Sequence, residues 1–120
     1  EPVEKGTNLA AVCRPHVDIL AHPGLLSREE AQLAATNGIF LEISARKGHC
    51  LTNGHIASLA QQVGARLLLG SDAHNQQDLL TIPLADAIVR GAGLDDTACH
   101  QVLDINPRTL LNNLPPHCKG

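Results

Sequence analysis

The sequence predicts an α/β fold with parallel strands, because short apolar strands alternate with capped helices. Strands are predicted over residues 17–21, 39–43 and 66–69, each short and mostly apolar, with Gly or Pro close to its ends. The connections between these elements are short, which favours right-handed crossovers between parallel strands. Ligands of such sheets bind at the carboxyl ends of the strands, so the fold class also predicts where the site lies.

Capping signals predict the helices. Ser27 and Glu30 form a capping box at the start of a helix that runs to about residue 37. Either Thr52 or Asn53 is expected to cap a helix that runs through residue 62. Further helices are predicted over 8–14, 81–90 and 95–103, and Asn106-Pro107-Arg108 is expected to form the turn and cap of a separate last helix.

Composition limits the classes of function. The 120 residues form one domain by length, the net charge is -3, and there is no basic run. Phe40 is the single aromatic residue, which argues against a nucleic-acid partner that stacks its bases on the protein. No apolar run is long enough to span a membrane. The four cysteines form no C-x-x-C pair, so reduced thiols and a cytoplasmic location are expected.

An acid and an imidazole directly follow the third predicted strand, in the segment Gly70-Ser71-Asp72-Ala73-His74. Residues two apart in an extended segment point to the same side, so the Asp72 and His74 side chains can face one point. Carboxylate oxygen and imidazole nitrogen are ligands of divalent metal ions. The alternative is that Asp72 caps the following helix and His74 is a surface loop residue.

His22 follows the first predicted strand and precedes Pro23. Proline disfavours a helical conformation in the residue before it, so His22 is expected to be extended and to aim its imidazole across the strand ends. The parallel sheet would bring it to the same edge as Asp72 and His74. The alternative is a buried histidine that bonds to a backbone carbonyl.

The segment that ends the second predicted strand mixes an acid, a hydroxyl and bases. Glu42 lies inside the strand, where a carboxylate needs a partner, and Arg46 or an imidazole is expected to supply it, with Ser44 beside it. Arg46, Lys47 and His49 are candidates to bind a phosphate group, which arginine holds with a two-pronged fork. The alternative is a solvated basic loop.

Taken in order, the segments 17–24, 41–49 and 70–74 resemble the PHP (polymerase and histidinol phosphatase) family, most closely its small stand-alone phosphatase-like members. Residues 106–111 are similar to the end of those proteins. The resemblance implies a distorted, TIM-like barrel of seven β/α units whose strand ends hold zinc, manganese or iron ions. It also implies hydrolysis of a small phosphorylated substrate, with His22, Asp72 and His74 as metal ligands and with Asp72 and His74 as catalytic residues.

The chain departs from the family pattern at its beginning. The family opens with a His-x-His strand and supplies further histidines and a bridging glutamate, and these motifs are absent here. Residues 1–120 therefore look like the C-terminal portion of a PHP-type hydrolase, with a frayed tail at 112–120. The alternative is a non-catalytic module that acts as a scaffold or needs a partner segment, and an amidohydrolase is a weaker third reading. The open edges of a three-stranded sheet are expected to join a larger sheet, a missing N-terminal half or a second copy.

Overall fold

The computed structural model describes residues 3–114 and contains a three-stranded parallel sheet in the order β1-β2-β3. The strands are β1 (Ile19–Leu20), β2 (Phe40–Ser44) and β3 (Leu67–Gly70). In the register of the sheet, Leu41 lies opposite Leu67 and Ser44 lies opposite Gly70. The predicted mixed α/β class with parallel strands is confirmed, although β1 is shorter than predicted. The predictions for residues 115–120 lie outside the described residues.

Six α-helices surround the sheet in the described part of the chain. They are α1 (Thr7–Val12), α2 (Arg28–Thr36), α3 (Asn53–Val63), α4 (Ile82–Gly91), α5 (Asp96–His100) and α6 (Asn106–Asn113). The predicted capping box begins α2: the Glu30 amide donates to Ser27 Oγ at 3.1 Å, and the Ser27 amide donates to Glu30 Oε1 at 2.9 Å. The predicted cap of α5 is also present, because Asp95 Oδ1 accepts a hydrogen bond from the Ala98 amide at 2.8 Å.

The last two helices are joined rather than separate. Residues Gln101–Ile105 form a π-helical turn that links α5 directly to α6. Pro107 has no N–H group and cannot continue a regular hydrogen-bond ladder. The Asn106 amide instead donates to the Gln101 carbonyl, five residues back, which is the π pattern. The prediction that a last helix opens at Pro107 is confirmed, whereas the predicted turn that separates it from the preceding helix is wrong.

The buried core lies between the strands and helices α2 and α3, and it continues to Val89 of α4 and Cys99 of α5. Leu41 and Ile43 of β2 are fully buried, and α2 and α3 contact both β2 and each other. The small residues Ala31 and Ala34 on α2 are fully buried too, which lets this helix approach closely. The carboxyl ends of the strands are therefore held in place by a well-packed core. Between residues 3 and 114, no helix has the length and apolar character needed to cross a bilayer.

Candidate functional site

The predicted site residues lie in the loops at the carboxyl end of the sheet. They follow β1 (His22), β2 (Arg46, Lys47 and His49) and β3 (Asp72 and His74). Because the strands are parallel, these positions share one edge. The side chains do not all converge on one point, and their contacts divide them into two groups.

The first group is built around the guanidinium of Arg46. Its Nε lies 3.4 Å from Asp72 Oδ2, and its Nη1 donates to the Asp72 carbonyl oxygen at 2.9 Å. The same Nη1 contacts Nδ1 of His74, and that ring nitrogen lies 2.7 Å from the Asp72 carbonyl. The His74 ring is therefore turned back towards its own strand end. A positive guanidinium, rather than a second acid, is the partner of the Asp72 carboxylate.

The second group is a pair of imidazoles. The rings of His22 and His49 stack with their centroids 4.4 Å apart and their planes 18° from parallel. Nε2 of His49 lies 3.9 Å from Asp72 Oδ2, so the pair extends from the end of β1 to the acid that follows β3. The His49 side chain is 14% exposed and that of Asp72 is 35% exposed. The shielded ring of His49 therefore lies between the exposed His22 and a solvent-accessible carboxylate.

The donor types fit a divalent metal ion, but their arrangement does not. The His22 ring lies on His49, the His74 ring faces a backbone carbonyl, and Arg46 lies beside Asp72. Within residues 3–114, no three His, Cys, Asp or Glu side chains form a group that could hold a metal. We therefore assign no step of a reaction to a metal held by these residues alone.

His22 and Asp72 have unusual backbone conformations. Among the described non-glycine residues they are the two with positive φ, at 30° and 47°. A left-handed backbone costs most residues about 1–2 kcal/mol, and such strain clusters at functional sites. The prediction that Pro23 holds His22 extended is wrong. The His22 amide donates to Glu42 Oε1 at 2.9 Å, and this contact accompanies the left-handed turn.

Glycine should therefore be better tolerated than alanine at position 22. Both His22→Ala and His22→Gly remove the ring, so the difference between the two variants reports the backbone strain. We expect His22→Gly to be more stable by about 1 kcal/mol in urea unfolding. The same pair at the exposed His16, whose φ is not positive, is the control and should give the opposite order. Equal stabilities of the two variants at position 22 would contradict the strain.

Three buried asparagines hold loops and strand ends in place by hydrogen bonds to the backbone. The sequence analysis did not predict this role. Their Nδ2 atoms donate to backbone carbonyls as follows: Asn8 to Pro23 at 2.7 Å, Asn53 to Ser44 at 2.8 Å, and Asn106 to Leu67 at 2.8 Å. Asn53 and Asn106 stand at the first positions of α3 and α6. A polar residue at a helix start is equally typical of a helix cap, so no separate signal in the sequence indicates this role.

Two cap predictions are accordingly wrong. Neither Thr52 nor Asn53 makes a side-chain cap on α3, and no side chain caps α6 at its first turn. Asn53 Oδ1 accepts from the Ser44 amide at 3.0 Å, while its Nδ2 donates to the Ser44 carbonyl. Both backbone groups of the last residue in β2 are thus satisfied by one side chain from α3.

Ser44 connects Asn53 to the loop that carries Arg46. Its side chain is buried, and its Oγ accepts a hydrogen bond from the Arg46 amide at 3.2 Å.

The predicted partner of Glu42 is Arg46 or an imidazole, whereas its carboxylate accepts from the His22 backbone instead. The alternative role of Asp72 as a helix cap is also wrong, because Asn75 caps the turn that follows β3.

The loops after β2 and β3 enclose a cavity of about 380 Å³. Arg46 and Lys47 line it from one side, and Ser71 and His74 line it from the other. This volume lies within the range of about 300–1,000 Å³ that is typical of small-molecule sites. The cavity therefore presents two basic side chains, an imidazole and the carboxylate of Asp78 to a small ligand.

Comparison with known proteins finds several that are similar to most of this chain. The chain is 40% identical over 114 residues to an uncharacterized protein of Methanocaldococcus jannaschii, covering 95% of this chain and 52% of the relative. It is 31% identical over 109 residues to a probable phosphatase of Thermoanaerobacter sp., covering 80% and 44%. It is also 31% identical over 128 residues to a probable phosphatase of Shewanella sp., covering 94% and 50%.

These relatives are longer than the present chain. The chain spans about half the length of the curated relatives that it matches. No protein-family model matches the chain, and no solved structure matches it either. The chain is thus similar to two proteins named probable phosphatase along most of its own length.

Proposed function

We propose that this chain is part of a phosphoric ester hydrolase of the PHP type that acts on a small phosphomonoester. The observation that carries the proposal is the shared cavity. Arg46 and Lys47 of the loop after β2 and His74 of the loop after β3 line it, and Asp72 lies beside Arg46. The names of the Thermoanaerobacter and Shewanella relatives support the same activity.

In this proposal the loop after β2 binds the phosphate group. Lys47 is exposed and lines the cavity, so its ammonium can reach a phosphate oxygen. Arg46 lines the same wall, and its planar fork can bridge a phosphate oxygen and the Asp72 carboxylate. His49, stacked on His22, adds a donor at the edge of the site. These donors would hold the negatively charged oxygens of the phosphate group.

Asp72 and His74 are the proposed catalytic groups. A carboxylate and an imidazole on one loop can take a proton from an attacking water and return one to the leaving oxygen. Arg46 contacts both residues and therefore couples phosphate binding to their placement. The left-handed turn at Asp72 fixes the direction of its carboxylate.

Metal binding is a separate part of the proposal and concerns the full-length protein. His22, Asp72 and His74 are the ligands that this chain would contribute, and Arg46 would have to leave Asp72 for them to do so. Elemental analysis for zinc, manganese and iron on the purified wild type and an Asp72→Ala variant tests this part. Equal metal content in the two proteins would remove Asp72 from the ligand set.

The larger architecture is also proposed rather than observed. Within residues 3–114 the outer edges of β1 and β3 pair with no further strand, and natural proteins usually cover such edges. We assign these strands to a distorted β/α barrel, as the PHP resemblance implies. The free thiols of Cys13, Cys50 and Cys99 support the proposed cytoplasmic location.

The phosphate-binding role of Lys47 gives the first test. In full-length protein assayed for phosphate release from p-nitrophenyl phosphate and a panel of sugar phosphates, Lys47→Ala should raise KM about tenfold. The kcat should change little, because the ammonium binds the phosphate before and during the reaction alike. Arg14→Ala is the control, since Arg14 is an exposed cation before β1, at the other end of the strand. An unchanged KM for Lys47→Ala would exclude this phosphate contact.

A non-catalytic module is the second candidate function. The observation that favours it is the engagement of Asp72 and His74 with Arg46 and with backbone, which leaves them in no metal-binding arrangement among residues 3–114. Full-length protein that releases no phosphate from any panel substrate, with or without added zinc or manganese, would favour this candidate. Turnover that depends on Lys47 would rule it out.

A further inference from the structure

The carboxylate of Glu42, in the middle of β2, lies at the ends of both neighbouring strands, β1 and β3. Glu42 belongs to β2 and lies opposite Leu68 of β3. Its Oε1 accepts the N–H of His22, just after β1, at 2.9 Å. Its Oε2 lies so close to Gly70, the last residue of β3, that a Cβ added there would be 2.1 Å from it. One side chain of the central strand thus connects the ends of its two neighbours.

The hydrogen bond from the His22 amide to Glu42 stabilises an unfavourable backbone conformation at His22. His22 has φ 30°, and the following Pro23 further restricts the conformations open to it. A hydrogen bond to an ionised carboxylate is stronger than one to a neutral acceptor. It therefore holds the His22 amide in the direction that the left-handed turn requires. The His22 ring then rests on His49, next to Asp72.

Gly70 provides the space that Glu42 occupies. An added Cβ would lie 2.1 Å from Oε2, 2.9 Å from Cδ and 3.3 Å from Cγ of Glu42. The Gly70 backbone is a regular strand, so alanine itself is conformationally acceptable there. The clash falls on the far end of a flexible side chain, and the carboxylate would move. Movement of the carboxylate breaks its hydrogen bond to His22.

The geometry points to Glu42 as the positioning residue that holds His22 in its left-handed turn, with Gly70 as the position that must remain free of a side chain. Glu42 acts through the backbone of His22 and touches no reacting group. The importance of this placement for catalysis rests on the proposed function, whereas the placement itself does not.

Amide hydrogen exchange of His22 tests the inference without a substrate. In the ¹⁵N-labelled full-length protein, Glu42→Ala should speed exchange of the His22 amide about tenfold. Glu42→Gln keeps the volume and one acceptor oxygen, and should restore most of the protection. Gly70→Ala should speed exchange as much as Glu42→Ala does, although it leaves Glu42 in place. Gly91→Ala is the control, because an added Cβ there meets nothing within 4 Å.

The double variant Glu42→Ala/Gly70→Ala decides the mechanism. If Gly70→Ala acts by displacing the carboxylate, it should add nothing once the carboxylate is gone. Unchanged His22 exchange in Gly70→Ala, or fully additive effects in the double variant, would overturn the inference. Normal phosphatase activity is not needed for either result. Loss of the proposed activity and loss of this placement are therefore separate outcomes.

Discussion

Replacing Asp72 by asparagine in the full-length protein should lower kcat for phosphomonoester hydrolysis by about a thousandfold, the middle of the range for an acid–base group. Asparagine has the shape of aspartate and tolerates the left-handed backbone observed at φ 47°. The backbone carbonyl of residue 72 still accepts from Arg46 Nη1, but the asparagine side chain cannot take up a proton or balance the guanidinium charge. The variant therefore removes the proposed chemistry while the turn remains.

The control for this variant is Asp18→Asn. Asp18 is exposed and precedes β1, at the end of the strand away from the site, and its backbone carbonyl accepts from the Phe40 amide. Its side chain can change without affecting that hydrogen bond, so activity should stay within a factor of two or so of wild type, about the ±0.5 kcal/mol typical of surface changes. An Asp72→Asn enzyme that keeps more than about a tenth of the wild-type kcat would exclude Asp72 as an acid–base group, since these contribute at least about a hundredfold.

The architecture was predictable because its signals are local. Apolar runs, a capping box at Ser27 and short connections together predict parallel strands, and parallel strands place their carboxyl ends at one edge. That argument alone brings His22 and Asp72 to the same side of the sheet. It requires no knowledge of which atoms touch.

The contacts within the site were not predictable because they join distant residues. The partner of the His22 amide is Glu42, 20 residues along the chain, and the local signal from Pro23 indicates a different conformation. Arg46 bonds to the Asp72 carbonyl, 26 residues away. Side-chain direction at strand ends depends on such pairings, and a pattern of residue types does not specify them. The pattern of residue types therefore predicts which residues lie at this edge of the sheet, but not which atoms they contact.

Removing the Asn53 side chain should destabilise the protein by about 3 kcal/mol, a large part of the roughly 5–15 kcal/mol that holds a typical domain folded. Asn53→Ala would leave the amide and the carbonyl of Ser44 without their present partners, and Ser44 is 1% exposed. Each buried group left unpaired costs about 1–3 kcal/mol. Urea unfolding of the variant and the wild type measures the difference. Gln61→Ala, at an exposed position of the same helix, should change stability by less than about 0.5 kcal/mol.

The loss at Asn53 can be distinguished from the loss of a helix cap. Thr52 is the N-cap residue of α3, but neither it nor Asn53 makes a side-chain cap bond, so Thr52→Ala should cost little. If Asn53 served only the helix start, the two variants would lose similar, small amounts of stability. A cost that appears at Asn53 alone must come from the end of β2. Because Ser44 also accepts the Arg46 amide, the same variant should loosen the loop that carries Arg46 and weaken its contact with Asp72.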